Sequence, residues 1–178
     1  MLTAMCALSQ AQETRKAPAR APATFDQIAK RANQAREADR LGEAIDLYQQ
    51  GLRMRPNWAE GWWNLGTIFY DQDRYTEGRD AFRHVVALDP KNAAASGLLG
   101  LCEFQTREYQ RSLVDLQRAR LLGMPRGQQV TSVVRYHAAI LMTRFEQFEV
   151  AYDILREFAA EGDESPNVIE AFGLNILR

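Results

Sequence analysis

The sequence predicts an all-α fold: a stack of about four helix–turn–helix units of 34 residues, closed by one terminal helix. Three observations predict it. Pro56 and Pro90 lie 34 residues apart, each just after an apolar, helix-like run. The pair Leu65-Gly66 returns 34 residues later as Leu99-Gly100, while Tyr75 returns as Tyr109 and Phe82 looks back to Tyr48 and forward to Leu116. Within the interval, Trp62, Leu65, Gly66 and Phe69 fall at i, i+3, i+4 and i+7, and Tyr75, Gly78, Phe82 and Val85 form a second helical stripe. The polar turn Asp71-Gln72-Asp73-Arg74 separates the two. Neither short helix can bury its stripe alone, so consecutive units must stack.

The elements follow in order. Residues 1–11, "MLTAMCALSQA", are apolar and small up to Leu8 and then read Ser9-Gln10-Ala11, the small-x-small form of a signal-peptidase site. They are read as the remnant of a secretory signal, although a basic start is missing and the apolar part is short. Residues 12–24 are a Pro/Ala-rich spacer expected to be extended and mobile. The units are expected at 25–58, 59–92, 93–126 and, after an insertion of about five residues, 132–165, with the terminal helix at 166–178. Small residues recur at two places: Gly66, Gly100 and Ala139 on first helices, Ala44, Gly78, Ser112 and Ala151 on second helices. They let paired helices approach closely, so a large residue at Gly66 or Gly78 is expected to be among the most damaging changes. The prolines end second helices because they lack an N–H and restrict the preceding residue.

The stretch 59–92 resembles a tetratricopeptide repeat nearly throughout, through Trp62, Leu65-Gly66, Phe69, Tyr75, Gly78, Phe82 and Pro90. Residues 25–58 match more loosely through Ile28, Ala32, Leu41, Ala44, Tyr48 and Pro56; residues 93–126 match through Leu99-Gly100, Tyr109, Ser112 and Leu116, with Pro125 one place late. The fourth unit is carried by Ala138-Ala139, Phe148, Ala151 and Leu155. The resemblance implies a right-handed superhelical solenoid whose first helices line a concave groove and whose second helices form the convex wall.

Carried over position by position, the resemblance implies a partner-binding groove made of Asn33 and Arg36 in the first unit and Trp63, Asn64, Thr67 and Tyr70 in the second. Leu101 and Phe104 follow in the third, and Tyr136, His137 and Ile140 in the fourth. Of the adjacent tryptophans, Trp62 is expected in the core and Trp63 in the groove. Trp63 and Tyr70 are further expected to be removable without loss of folding. Polar residues dominate the N-terminal end of the groove and aromatic ones its middle, a surface suited to an apolar-anchored peptide or an amphipathic helix. Some members of the family grip the terminal carboxylate of chaperone tails with a Lys, Asn, Asn, Lys, Arg set. Here Asn33 and Asn64 hold the asparagine places, but Ala29, Ala94 and Leu98 stand where cations are needed, so that ligand is not expected.

Other chemistries find little footing. The formal net charge of −1, with Lys and Arg scattered, gives no sign of nucleic acid. No apolar run is long enough to span a membrane. Cys6 and Cys102 are too far apart to suggest a metal site, His84 and His137 fall in different units, and the glycines sit singly at packing points and not in a phosphate loop. No catalytic residue, cofactor or metal is expected. Cys102 is expected to be a small buried hydrophobe. The acidic segment 160–165 is expected to be a solvated turn, and the off-period insertion 123–132 to re-angle the stack or to make a contact. The expected function is a non-catalytic, exported bacterial scaffold that binds a protein or peptide in its groove. The alternatives are the docking arm of a larger enzyme or assembly machine, and a module that self-associates through its end faces. The apolar terminal helix suggests that the natural chain continues past Arg178.

Overall fold

The computed structural model describes residues 23–124 and 129–160. The signal and spacer expectations up to residue 22, the middle of the insertion, the acidic turn and the terminal helix lie outside these residues. Among the described residues there are eight α-helices and no strand: α1 Phe25–Glu37, α2 Leu41–Met54, α3 Ala59–Asp71, α4 Tyr75–Leu88, α5 Ala93–Gln105, α6 Tyr109–Leu122, α7 Gln129–Arg144 and α8 Phe148–Ala160. They pack as hairpins, α1 with α2, α3 with α4, α5 with α6 and α7 with α8, and each second helix also packs on the first helix of the next unit. The chain is a solenoid of helical hairpins. The last part of the insertion, Gln129 to Ser132, is helical and lengthens α7 by a turn at its start.

Each hairpin turns in the same way. Asp39, Asp73, Arg107 and Glu146 take positive φ between 55° and 64° one residue past the helix cap, and lie 34, 34 and 39 residues apart. The following residue donates its backbone N–H five residues back: Arg40 to Ala35 O, Arg74 to Phe69 O, Glu108 to Glu103 O and Gln147 to Met142 O, all at 2.8 Å. This is a Schellman ending, which satisfies carbonyls that the helix leaves open. Second helices then start without a side-chain cap on Arg40, Arg74 or Glu108. α1 and α5 start differently. Thr24 and Gln27 form a reciprocal capping box before α1, and Asn92 accepts from Ala95 N at 2.9 Å before α5.

Close helix approach fixes the core. A Cβ on Gly66 would stand 2.8 to 3.0 Å from the Phe82 ring, and one on Gly100 would meet Leu116 Cγ at 2.7 Å and its backbone N at 3.0 Å. At Gly78 the nearest neighbour is Cys102 Sγ at 3.3 Å, so a methyl crowds the seam less there than at Gly66 or Gly100. Cys102 itself is fully buried. Trp58, which the repeat pattern does not single out, is clamped between glycines of α2 and α3: a Cβ on Gly51 or Gly61 would lie 2.7 or 2.3 Å from its ring. Trp62 is half-buried, contrary to expectation, because its indole lies flat on exposed His84 at 4.0 Å and donates to Pro56 O at 2.8 Å.

One fully buried core position is a carboxylic acid. Glu103 is 1% exposed on α5 and receives Arg83 Nη2 from α4 on Oε1 at 3.2 Å, while Asp115 of α6 stands beside it. Burial first, and Asp115 second, push its carboxyl up to about 7. The folded state therefore keeps a proton that the unfolded chain gives up near 4.5. The resulting stability is full at acid pH and is lost as pH rises towards neutrality.

Two outcomes follow. In thermal melts Gly100→Ala should lose about 1–3 kcal/mol, whereas Gly78→Ala should stay within about 1 kcal/mol of the parent, because helix propensity offsets its mild crowding. Glu103→Gln should melt higher than the parent near neutral pH and converge with it near pH ~4.5; a constant difference across that window would contradict the buried titration.

Candidate functional site

The inner face is built from the first helices and has two zones. At its start, Tyr48 of α2 donates its hydroxyl to Asn33 Oδ1 at 2.7 Å, Asn33 Nδ2 donates to Glu60 Oε1 at 3.1 Å, and Arg36 Nη1 donates to Asn64 Oδ1 at 2.9 Å. These bonds tie α1 and α2 to α3, so the amide groups join two units. Burial raises the Tyr48 phenol above its ordinary value and keeps it a neutral donor. Asn64 is only 5% exposed. It is not an open groove contact, as the repeat position implied, but the seat of the exposed Arg36 guanidinium. Thr67 is half-buried and turns its hydroxyl back to Asn64 O at 3.0 Å.

Further along, the face is aromatic. Trp63 is half-buried and stands edge-on to Phe82 at 5.7 Å. Tyr70 meets Tyr75 edge-on at 5.7 Å, and one period later Phe104 meets Tyr109 in the same way at 5.6 Å. Phe104 also touches the His137 ring at 4.7 Å, and His137 lies 5.4 Å from Tyr136. Arg144 caps the row with its guanidinium 4.7 Å from the Tyr109 ring. Such edge-to-face pairs hold rings in fixed orientations. His137 places Nδ1 2.8 Å from Val133 O, and burial lowers its pKa, so the neutral ring donates through Nδ1–H. Nε2 then remains an acceptor. Ile140 is half-buried on the same helix.

Leu101 does not belong to this surface. It is 3% exposed, inside a run of α5 from Ala95 to Glu103 in which every residue is buried. The cause is α7, which packs against α5 as well as α6. Gly97 permits that approach: a Cβ there would lie 2.9 Å from Val134 Cγ2. The third unit's groove positions are thus largely consumed by the fourth unit, and Phe104 at the end of α5 is the one of the pair that stays accessible. Tyr75 and Tyr109 complete the aromatic row but were not among the expected groove residues. Tyr75 and Tyr109 carried a signal, since both recur at the repeat's packing place at the start of a second helix.

Among the described residues, no group of three or more His, Cys, Asp or Glu could hold a metal ion, and no helix is long and apolar enough to cross a membrane. Burial pushes the Cys102 thiol up to about 12, which leaves it a poor nucleophile.

Comparison with known proteins places this geometry. The chain is 27% identical over 103 residues to the E3 ubiquitin-protein ligase CHIP of Arabidopsis thaliana, covering 58% of this chain and 37% of that protein. It therefore spans little more than a third of that relative. Among solved structures, MamA from Desulfovibrio magneticus RS-1 superposes with a TM-score of 0.64 at 17% identity, over 80% of this chain and 78% of that one. YrrB, described as a TPR protein with an unusual peptide-binding site, superposes with a TM-score of 0.64 at 15% identity, over 86% and 85% of the two chains. At such identities the likeness is one of fold. The tetratricopeptide repeat family model matches residues 29–91 and again 65–121, more than half of the chain between them, and the chain belongs to the tetratricopeptide repeat family.

Proposed function

We propose that this protein is a non-catalytic scaffold that holds a peptide or short helix of a partner protein along its concave face. The observation that carries this reading is the row of half-buried rings on one face: Trp63 and Tyr70 on α3, Phe104 on α5, Tyr136 on α7. Rings fixed by neighbours but not enclosed offer contact area at low entropic cost. The amide zone at the other end, with the Arg36 guanidinium seated on Asn64, supplies direction and a cation for a carboxylate or a carbonyl. The peptide-binding description of the structurally similar YrrB supports the same use of the fold. A second reading is favoured by the match to the ubiquitin ligase, of which the chain spans 37%: the repeats would then be the docking arm of a larger protein. Both readings use the same groove. Export is proposed from the small-x-small pattern at Ser9 to Ala11.

Trp63 is a poor probe of the groove. Its edge rests on Phe82, which is fully buried, so Trp63→Ala should lower stability by about 1–3 kcal/mol as well as remove a contact surface. Tyr70→Ala combined with Tyr136→Ala is the cleaner test. For a peptide selected from a displayed library against the intact chain, the double variant should bind at least ~10-fold more weakly, while circular dichroism stays helical. Undiminished affinity in that variant would remove the aromatic row from the binding site. For export, mass spectrometry of the native mature protein should find a chain starting after Ala11; a mature chain starting at Met1 would refute it.

A further inference from the structure

The junction between the third and fourth hairpins departs from the two before it at one residue. Leu52 near the end of α2 and Val86 near the end of α4 are core residues, 6% and 8% exposed. The residue 34 places after Val86 is Arg120, near the end of α6. A guanidinium thus holds a position that the repeat gives to hydrocarbon. Arg120 is half-buried, its Nε is buried and meets no acceptor, and no hydrogen bond or ion pair among the described residues engages its side chain. A cation drawn out of water without a counter-charge is costly, and an anion that reaches it recovers that cost.

Arg120 opens on a cavity of about 230 Å³ between α6, α7 and α8. The off-period segment shapes it. Gly123 takes φ 84°, and Met124 turns back over Gly97, its Sδ 3.3 Å from where a Cβ would stand. Val134 of α7 lies beside it, with Cγ2 2.9 Å from the same point, so one missing side chain seats two apolar walls. The polar lining is also held in place. Arg135 is 7% exposed, lies 4.5 Å from the Phe158 ring and donates from Nη2 to Glu157 Oε2 at 3.0 Å. Arg135 is therefore already matched with a carboxylate, and Arg120 is not.

These features select the ligand. A single unmatched guanidinium calls for a single negative charge, in a planar group able to take two parallel N–H bonds. A second charge would be repelled by the Glu157 carboxylate in the same lining. Met124 and Val134 call for a short hydrocarbon chain behind the charge. We propose that this cavity is a second binding site, which takes a carboxylate on a short aliphatic chain and holds it by Arg120. None of the groove residues borders the cavity, so the site does not depend on what the groove binds. A free short-chain acid and the acidic side chain of a partner protein both present the required group.

Butyrate, titrated into the full chain and followed by methyl NMR, tests this. The Met124 and Val134 methyls should shift along one saturating curve while the Thr67 methyl in the groove stays still. Butyramide, which has the same shape and no charge, should bind at least ~10-fold more weakly. Arg120→Leu, which restores the hydrocarbon of Leu52, should keep the helical circular dichroism and abolish the response. N-acetylglutamic acid α-methylamide, a side-chain carboxylate on a blocked backbone, separates the two sources. Saturation by both acids upholds the site and assigns it to a partner's side chain; saturation by butyrate alone upholds it and assigns it to a free acid. The proposal is overturned if neither acid moves the cavity methyls, if inorganic phosphate binds more tightly than butyrate, or if Arg120→Leu binds butyrate as the parent does. Equal affinity for butyramide and butyrate in the unmodified chain would also overturn it, and that comparison stands whether or not the variant folds.

Discussion

The contact between a glycine on a first helix and a large side chain on its partner is what the rest of the molecule leans on. Phe82 can lie against α3 only because Gly66 has no side chain, and Leu116 can lie against α5 only because Gly100 has none. Ser112 adds a bond across the same seam, its hydroxyl donating to Gly100 O at 2.7 Å. Once the hairpins are that tight, the turn must reverse within three residues, which forces a left-handed residue into each one. The tilt of each hairpin against the next then fixes where the side chains of α3, α5 and α7 emerge. The inner aromatic row is one result of that packing rule.

Much of this was legible from the chain alone, because the features that set the fold are local and recur. Leu65-Gly66 and Leu99-Gly100 mark the seam, Tyr75 and Tyr109 mark the start of second helices, and the prolines mark their ends. The surface was less legible. Carrying groove positions from unit to unit assumes that neighbouring first helices stand equally far apart, and α5 and α7 do not. The small residues around Gly97 draw α7 inward and bury Leu101, an effect of two units meeting that no single repeat encodes. Asn64 was misplaced for a similar reason, since its partner Arg36 lies 28 residues back in another unit. Glu103 left a visible trace, an acid where Phe69 sets the precedent, but only the structure shows that its carboxyl is buried beside Asp115.

The two faces differ in how they treat polar groups. Inside, Asn33, Tyr48 and Asn64 bond to neighbours and His137 spends its Nδ1–H on Val133, which fixes side chains in place before any partner arrives. On the convex side, the buried Glu103 carboxyl is held by Arg83 and hydrogen-bonded with Asp115. The first arrangement favours a surface ready for contact; the second makes stability depend on pH.

The chain has three tryptophans, Trp58, Trp62 and Trp63, and all of them sit at the junction of the first two hairpins. Tryptophan emission therefore watches one end of a stack whose units touch only their neighbours. If the far end frays first, as a quasi-one-dimensional array allows, fluorescence will hold steady while helical signal is already falling. The lag between the two signals gives a direct measure of how cooperatively the repeats are coupled.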